Sequence, residues 1–585
     1  MKTDEQLQHL RHSLAHLLAA AVMELWPDAQ PTIGPVIEDG FYYDFAFRQP
    51  ITEADLPKIE KKMREILPTW STFERSESTP EEARREVAGN PFKRELIDDC
   101  AKSGEKITFY RSGGFVDLCR GGHVDDMRNV KPDAFQLTKI AGAYWRGDEK
   151  NAMLTRIYGM AFPTKKELED RLAVIAEAAK RDHRKLGQEL DLFFFSQNVG
   201  SGLPIFTPRG TIVRNAIRQF SLELQLAAGY EEVYTPNMNK AELFKISGHY
   251  EKFRSSMFKV LSNYGEEEFY LKPMNCPQHT QIYAAKLRSY RDLPLRYADF
   301  ANLYRDEKPG EIGGLTRVRY FSQDDSHCFC REDQIEKEMA NIFGMIKKLM
   351  RAYQLEYWIR LSLRDPKSKK DYLGADEVWE KAETTMGSFL KRHAIPHTRA
   401  EGEAAFYGPK MDLMCTTAIG NEWQLATIQL DYIMPERFHL TYIDKGGKEA
   451  RPVMIHKAMA GSLERFIAIL LEHTGGNLPL WLSPVHVQIL PVATRHRIGA
   501  IKLAKEFHLA GIRAYVDEAN ETVGYKIRTA SRLRVPYVVV FGDKEAVSAK
   551  LAVRVRGTTS VRLVTKKRFF ERVGVDIVKR AFRVT

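Results

Sequence analysis

Cysteine is scarce in this sequence. Its 585 residues include six cysteines, namely Cys100, Cys119, Cys276, Cys328, Cys330 and Cys415. They are too few and too scattered for a disulfide scaffold, which in secreted domains uses dense, paired cysteines. A reducing compartment with metal-bound or catalytic thiols fits this usage better, so we expect a cytoplasmic protein.

Long apolar runs are also missing. No stretch reaches the roughly 18 consecutive apolar residues that indicate a transmembrane helix. The first residues, MKTDEQLQHLRH, contain early acidic side chains and no apolar core, unlike a signal peptide. We therefore expect neither membrane insertion nor secretion.

The composition that remains is typical of a multidomain globular protein. Hydrophobic residues make up 44% of the chain and charged residues 28%, which argues against disorder over the whole length. The length predicts three or four domains. The formal net charge of +11 suits a polyanionic partner such as RNA or DNA, but many intracellular enzymes are also mildly basic. The charge alone leaves both interpretations open.

Hydrophobic periodicity divides the chain into four segments. Residues 1–162 combine a leucine-rich helix at 5–26 with short strands, as in one α+β domain. Residues 163–188 are typical of a single charged connecting helix. In residues 189–483 strands do not alternate regularly with helices, which favours an antiparallel sheet, whereas residues 484–585 repeat βα units, as in a small α/β domain. The predicted fold class is multidomain α+β.

Three motifs in the central segment indicate its function. The first runs from FTPRG at 206–210 to TP at 235–236, the second joins YRDE at 304–307 to RVRYF at 317–321, and the third is GSLERF at 461–466. In this order and spacing they resemble motifs 1, 2 and 3 of class II aminoacyl-tRNA synthetases. The resemblance implies an antiparallel-sheet catalytic core and a homodimer formed through motif 1.

The motif residues have the chemistry that amino-acid activation requires. The reaction joins a carboxylate to the α-phosphate of ATP, and arginine binds both anions bidentately without losing its charge. The resemblance implies that Arg305 holds the α-phosphate and the carboxylate, while Arg317 and Arg465 bind the rest of the triphosphate. It also implies four further ATP-binding residues, Glu307, Phe321, Gln424 and Thr427. Catalysis would rest on positioning and electrostatics, with Mg²⁺ bridging the phosphates.

Longer phrases narrow the resemblance to one family. They are MNCP followed by His279, GLTRVRYFSQDDSHCFC, AFYGPKMD, EWQLATIQLDY and VMIHKAMAGSLERF. These phrases are similar to segments of threonyl-tRNA synthetases, and the resemblance extends along essentially the whole chain. It implies that Cys276, His327 and His456 bind one zinc ion (Zn²⁺), a set that spacing alone would never join. The threonine-binding residues that it implies are Gln323, Asp325, Tyr407 and Gln429.

A zinc ion with three protein ligands keeps an open position, as catalytic zinc sites do. Threonine can fill that position with its amino group and its hydroxyl, and Asp325 would accept the hydroxyl hydrogen. Valine lacks the hydroxyl, and a purely apolar pocket separates the two by only about 100-fold. Zinc would therefore reject valine. In an alternating strand Cys328 and Cys330 face away from His327, so we leave both out of the site.

A second, hydrolytic site is expected because serine keeps the hydroxyl and lacks only one methyl group, worth about 1–3 kcal/mol of discrimination. The N-terminal segment resembles the editing domain shared by threonyl- and alanyl-tRNA synthetases. The editing residues that this resemblance implies are His12, His16, Lys93, Asp117, Cys119 and His123. Either the histidines and the cysteine bind zinc, or they bind the terminal adenosine and orient a water without a metal. We favour the second interpretation.

The C-terminal segment resembles the anticodon-binding domain of the same subclass. Residue correspondence implies that Asn520, Glu545 and Arg554 contact anticodon bases, and such side chains can read exposed base edges. The basic tail KKRFFERVGVDIVKRAFR suits phosphates, or it is simply a solvated helix.

The resulting hypothesis is a cytoplasmic threonine–tRNA ligase that also hydrolyses mischarged seryl-tRNA(Thr), with tRNA(Thr), ATP and L-threonine as its partners. The alternatives are an RNA-binding regulator that has lost catalysis and a free-standing hydrolase. The sequence departs from the family pattern at Gly122, where proline is usual, and at Gln278, where glycine is usual. We also expect the form of the enzyme that lacks the small N-terminal ubiquitin-like domain.

Overall fold

The computed structural model describes residues 4–417 and 420–582. It divides into two compact units, Met1–Ala176 and Glu177–Thr585, and the division falls inside helix α5 (Lys165–Lys180). Within the described ranges, no helix is long and apolar enough to span a membrane.

The N-terminal unit is an α+β domain with two antiparallel sheets. Its helices before α5 are α1 (Asp4–Leu25), α2 (Leu56–Ile66), α3 (Pro80–Glu86) and α4 (Pro91–Ser103). Its strands are β1 (Gln30–Pro31), β2 (Val36–Ile37), β3 (Gly40–Ala46), β4 (Glu74–Ser78), β5 (Ile107–Ser112), β6 (Phe115–Leu118), β7 (Phe135–Tyr144) and β8 (Met153–Ala161). One sheet has the order β1-β3-β8-β7 with β2 beside β3, and the other has the order β4-β5-β6. The predicted first helix is confirmed by α1, which packs its leucines against α2 and β3.

The connecting segment contains two helices. The prediction of one continuous helix over residues 163–188 is therefore wrong. Helix α5 ends at Lys180, and α6 (His183–Glu189) begins after Asp182. The Asp182 carboxylate accepts a hydrogen bond from the backbone N–H of Arg184 at 2.8 Å. An aspartate at this position caps the start of a new helix, so local capping divides the segment in two.

An eight-stranded sheet forms the centre of the second unit. Its helices after α6 are α7 (Pro208–Ala227), α8 (Ala241–Ser247), α9 (His249–Phe253), α10 (Cys276–Ala284), α11 (Ile335–Tyr353), α12 (Asp376–Arg392), α13 (Ile433–Arg437) and α14 (Leu463–Thr474). Its strands are β9 (Phe193–Phe195), β10 (Pro204–Phe206), β11 (Glu231–Glu232), β12 (Met238–Lys240), β13 (Lys259–Val260), β14 (Phe269–Leu271), β15 (Leu295–Tyr304), β16 (Tyr320–Cys330), β17 (Tyr357–Leu363), β18 (His397–Glu401), β19 (Lys410–Thr416), β20 (Glu422–Asp431), β21 (Tyr442–Ile443), β22 (Glu449–Ala450) and β23 (Val453–Ala458). The sheet order is β11-β15-β16-β23-β20-β19-β17-β18. Its six inner strands pair antiparallel, as predicted, and only β11 and β18 join the edges in parallel.

Alternation along β16 decides which side chains share a face of this sheet. The Cys328 thiol lies 3.6 Å from Glu338 of α11, and both Cys328 and Cys330 belong to the helix-covered hydrophobic core. His327 lies between them in sequence and points to the other face. The expectation that these two cysteines face away from His327 is therefore confirmed.

The last part of the chain is the predicted small α/β domain. Its helices are α15 (Arg497–Leu509), α16 (Val523–Arg532), α17 (Asp543–Val547) and α18 (Lys566–Val578). Its strands are β24 (Val487–Pro491), β25 (Ala514–Val516), β26 (Tyr537–Phe541), β27 (Lys550–Val555) and β28 (Val561–Thr565). The order is β25-β24-β26-β27-β28, in which the first three strands are parallel and the last two are added antiparallel.

Candidate active sites

A cavity of about 560 Å³ lies against the central sheet, and it is large enough for a small-molecule substrate. It is lined by every side chain that the sequence predicted for ATP, threonine and zinc, namely Arg305, Arg317, Arg465, Glu307, Phe321, Gln424, Thr427, Gln323, Asp325, Tyr407, Gln429, Cys276, His327 and His456. These residues come from positions almost 200 apart in sequence. Those that lie in strands come from β16, β23 and β20, which are neighbours in the sheet.

Arg305 lines the cavity and has a buried hydrogen-bond donor that no described residue uses. Its guanidinium lies 5.2 Å from the centre of the Phe321 ring, and burial lowers its pKa despite the nearby charges of Glu307 and Asp325. Its Nε atom is buried and has no hydrogen-bond partner among the described residues. A desolvated guanidinium with an unused donor binds phosphate or carboxylate strongly, because the anion supplies the missing partner.

The other two predicted arginines have partners in the motif 2 loop, which we define as residues 305–319 between β15 and β16. Arg317 forms ion pairs with Glu307 at 2.7 Å and Glu311 at 2.9 Å, and the hydrogen bond to Glu307 raises its pKa. Arg465 donates from Nε to the carbonyl oxygen of Thr316 at 2.9 Å. Both guanidinium groups are thus tied to the same loop.

The three predicted metal ligands line the cavity but are not equally close. His327 Nε2 and His456 Nδ1 are 3.0 Å apart, and His456 Nε2 contacts the buried Asp431 carboxylate at 2.8 Å. The Cys276 thiol instead lies 3.5 Å from Nε2 of His249, and burial raises the pKa of this thiol. The structure therefore joins the two histidines directly and places the cysteine beside a histidine that the sequence did not single out.

Three of the predicted threonine-binding side chains, Tyr407, Gln429 and Asp325, lie beside His456 or His327. The ring of Tyr407 stacks on the imidazole of His456 with 4.7 Å between centroids, and its hydroxyl donates to Gln429 at 2.7 Å. Asp325 Oδ1 lies 3.7 Å from His327 Nε2, and burial raises the pKa of Asp325. Polar groups therefore converge where a small hydroxylated ligand could lie.

Besides Asp431, sequence reasoning missed two buried residues that organise this cavity. Asp412 on β19 accepts hydrogen bonds from Gln424 at 2.8 Å and Thr427 at 2.9 Å, so it orients both predicted ATP-binding side chains. His249 is fully buried, and burial lowers its pKa to about 3. No motif or periodicity distinguishes either residue, because their role arises from tertiary contacts.

The N-terminal unit holds a second cluster, formed by His12, His16, Cys119 and His123. In the described part of the chain, this is the one group of three or more histidine, cysteine or acidic residues whose ligand atoms all lie within 4.8 Å of one another. The thiol of Cys119 lies 3.4 Å from Nε2 of His12 and from Nε2 of His123. Burial opposes ionisation of this thiol, but hydrogen bonds from the three histidines prevail and lower its pKa to about 3.

Asp117 anchors the same cluster. It contacts Lys93 Nζ at 2.6 Å, His16 Nδ1 at 3.1 Å and the Tyr43 hydroxyl at 2.5 Å. Burial opposes the negative charge, but Lys93 and His16 hold the pKa of Asp117 well below its usual range. Burial likewise opposes protonation of His16, yet hydrogen bonds and charges of Asp117 and Cys119 raise its pKa to about 9. Tyr43 was missed because nothing in its strand distinguishes it from a core tyrosine.

The unusual glycine next to this cluster has a conformation that proline cannot adopt. Gly121 has φ of 99° and Gly122 has φ of 88°, whereas proline is fixed near −65°. The turn places the backbone N–H of Gly121 3.2 Å from the Cys119 sulfur, where it can donate to a thiolate. The glycine pair therefore shapes this loop through its backbone.

The predicted anticodon residues lie in the C-terminal domain but not on one edge of its sheet. Asn520 is exposed and follows β25, and Glu545 follows β26, so both lie beyond the carboxyl ends of parallel strands. Arg554 is paired with Val538, near the start of β26. The register therefore separates the backbone of Arg554 from the other two.

Comparisons with known proteins agree with these observations. The family described as "tRNA synthetase class II core domain (G, H, P, S and T)" matches residues 258–474, "Anticodon binding domain" matches residues 486–574, and "Threonyl and Alanyl tRNA synthetase second additional domain" matches residues 107–158. The threonine–tRNA ligase of Thermotoga petrophila is 43% identical over 99% of this chain and 90% of its own length. That of Gloeobacter violaceus is 47% identical over 94% of this chain and 89% of its own.

A solved structure agrees as well. The RNA binding domain of threonyl-tRNA synthetase from Cryptosporidium parvum has a TM-score of 0.64 and 36% identity, covering 69% of this chain and 99% of that one. Because relatives at 43% and 47% identity extend over almost its entire length, the chain belongs to the threonine–tRNA ligase family of class II aminoacyl-tRNA synthetases.

Proposed function

We propose that this chain activates threonine with ATP, transfers it to the 3′ end of tRNA(Thr) and hydrolyses mischarged seryl-tRNA(Thr). One observation carries the proposal: a single cavity gathers all the predicted ATP, threonine and metal residues. The preserved arginines argue against a regulator that has lost catalysis. A free-standing hydrolase would leave this cavity without a role.

In the activation step, Arg305 would hold the threonine carboxylate against the α-phosphate, using the Nε donor that no described residue accepts from. Arg317 and Arg465 would bind the remaining phosphates, and Glu307 would accept from the adenine amino group. Mg²⁺ accompanies ATP in enzymes of this kind. The chain's own contribution is to fix two anions in contact and neutralise their charge, so no protein nucleophile is required.

Cys276, His327 and His456 fit a zinc ion by their donor chemistry, since one thiol and two imidazoles are ligands that zinc prefers. The contact between His456 Nε2 and Asp431 supports this assignment, because metal-bound histidines usually donate their other N–H to a carboxylate. When bound, the ion would supply a Lewis-acidic position for the amino group and hydroxyl of threonine. Asp325 would accept the hydroxyl hydrogen, and Tyr407 with Gln429 would close the pocket around the side chain.

Asp431→Asn should weaken zinc binding by about 10- to 100-fold. The asparagine can still accept from the backbone N–H groups of Ile433 and Met434, as Oδ1 of Asp431 does. Its amide nitrogen, however, would face His456 Nε2 and favour the tautomer with hydrogen on Nδ1, which cannot bind a metal. Competition with a chromophoric chelator measures the affinity.

Asp444→Asn is the matched control for that variant. Asp444 also accepts from two backbone N–H groups, those of Gly446 and Lys448, but it has no histidine partner within residues 4–417 and 420–582. Equal zinc affinities of the two variants would contradict a role for Asp431 in orienting His456.

For editing, we propose that the N-terminal cluster binds the terminal adenosine and orients a water without a metal. The ion pair between Asp117 and Lys93 at 2.6 Å and the contact between Asp117 and His16 support a pre-organised polar pocket. The close packing of His12, His16, Cys119 and His123 also suits a metal, and the two hypotheses differ in one measurement. Deacylation of seryl-tRNA should survive a chelator if the site is metal-free, and it should stop if a metal is required.

We further propose domain boundaries at 1–162 for editing, 163–188 for the linker, 189–483 for catalysis and 484–585 for anticodon binding. Asn520, Glu545 and Arg554 would contact the anticodon, and the positive charge of the chain would attract the RNA backbone.

A homodimer through motif 1 is supported by six exposed apolar side chains in or beside β9, α7, β11 and β12, namely Phe194, Phe195, Val199, Leu226, Tyr234 and Met238. A twofold interface would bury the same side chains on both subunits.

Threonine-dependent ATP–pyrophosphate exchange tests the proposed activity. Threonine should support rapid exchange, serine slower but measurable exchange, and valine almost none. The difference arises because serine has the hydroxyl that the site reads and valine does not. Absence of exchange with threonine would refute the ligase, and rapid exchange with valine would refute the proposed role of zinc.

A further inference from the structure

A buried histidine in the linker contacts the ATP-binding loop. His183 is the first residue of α6 and only 5% exposed. Its Nε2 accepts a hydrogen bond from the backbone N–H of Leu315 at 3.0 Å, and Leu315 belongs to the motif 2 loop. Because Nε2 accepts, Nδ1 carries the hydrogen and donates to Glu472 at 2.7 Å. The imidazole thus joins the loop to α14.

These bonds close a ring around the tip of the loop. Glu472 lies two turns after Arg465 on α14, so both side chains leave the same face of one helix. Arg465 donates to the carbonyl oxygen of Thr316, the residue next to Leu315. The loop is therefore fixed on one side by Arg465 and on the other by His183, and both contacts depend on α14.

The loop tip is shaped to fit against this imidazole. Thr316 donates from its backbone N–H to Gly313 at 3.0 Å, and Gly313 donates to the carbonyl oxygen of Arg317 at 3.1 Å. Between them, Gly314 has φ of 56°, and any Cβ at this position would clash with Nε2 of His183. The tight turn around this glycine begins at Gly313, which is bridged to Arg317. A shift of His183 would therefore be transmitted to a residue that would bind phosphate.

We infer that His183 is a positioning residue for ATP binding, acting through the motif 2 loop; the inference rests on the proposed function. His183 is not among the residues that line the cavity. Within the described part of the chain, its two hydrogen bonds go to Leu315 and Glu472. Helix α6, which precedes the catalytic domain, would therefore help to align Glu307 and Arg317. A purely connecting helix would have no such effect.

Two amide substitutions, each of which reproduces the position of one ring nitrogen, separate the two hydrogen bonds. The side-chain oxygen of His183→Gln can occupy the position of Nε2 and accept from Leu315, whereas His183→Asn reaches only the position of Nδ1 and keeps the bond to Glu472. Losing one buried hydrogen bond corresponds to roughly a tenfold change in an equilibrium constant. His183→Asn should therefore raise the KM for ATP about tenfold, while His183→Gln stays within about threefold of wild type. The KM for threonine should be unchanged in both.

Gly314→Ala would disturb the contact between His183 and the motif 2 loop from the side of the loop. With His183 intact, the added methyl group would push the turn away from the imidazole, and the KM for ATP should rise as in His183→Asn. Equal KM values for ATP in the asparagine and glutamine variants, or a parallel rise in the KM for threonine, would overturn the inference and indicate general destabilisation.

Hydrogen–deuterium exchange of the full-length protein provides a readout that does not depend on the activity. The amide of Leu315 should exchange at least about tenfold faster in His183→Asn than in His183→Gln or wild type. If wild type fails to exchange pyrophosphate with threonine, the proposed function falls, and equal amide protection in both variants would overturn the positioning role separately.

Discussion

Cys276→Ser should abolish threonine-dependent pyrophosphate exchange, with a loss of at least about 1000-fold. Serine preserves the shape of this buried side chain, but a neutral hydroxyl is a poor zinc ligand. The subunit should therefore lose most of its zinc, and threonine would lose the ligand position that distinguishes it from valine. Metal content by mass spectrometry and exchange kinetics measure the two effects on the same preparation.

Cys328→Ser is the matched control for this variant. Cys328 adjoins His327 on β16 and is equally buried, but its thiol points into the helix-covered core near Glu338. We expect zinc and exchange to be retained and the free energy of unfolding to fall by about 1 kcal/mol. Retention of zinc or of exchange in Cys276→Ser would show that the assigned ligand set is wrong.

His12→Ala should separate editing from activation. Deacylation of seryl-tRNA should slow by at least about 100-fold, because the imidazole contacts the Cys119 thiol and His16 at the centre of the N-terminal cluster. Threonine-dependent exchange should be unchanged, since the N-terminal unit has its own hydrophobic core. Seryl-tRNA should then accumulate in charging reactions that contain serine.

Gln8→Ala serves as the comparison for this second prediction. Gln8 is exposed on the same helix, one turn before His12, so its removal tests the helix without touching the cluster. Normal deacylation in His12→Ala, or impaired deacylation in Gln8→Ala, would contradict the assignment of the editing site.

The sequence allowed the residues of the main cavity to be predicted because they fall within local motifs. Arg305, Phe321 and Arg465 are recognisable from the segments around them, and the alternation of β16 separates His327 from Cys328. Strand periodicity is a local property, so it survives without knowledge of the fold. The same reasoning identified the antiparallel sheet and the α/β domain.

The contacts that support these residues could not be predicted from the sequence. Asp431, Asp412 and His183 each act through partners at least 12 positions away, and no spacing rule links such pairs. The break at Asp182 was missed because a charged, periodic segment predicts a helix whether or not a cap interrupts it. Local patterns therefore identified the groups that line the cavity, and tertiary contacts determine how those groups are held.

Charging of tRNA(Thr) by the wild-type protein tests the central claim most directly. The protein should be supplied with threonine, serine and valine in separate reactions, and the esterified amino acid identified by mass spectrometry. We predict that threonyl-tRNA accumulates, that valine gives no product, and that serine consumes ATP without stable seryl-tRNA. Failure to form threonyl-tRNA, or stable accumulation of seryl-tRNA by the wild-type protein, would contradict the two-site account.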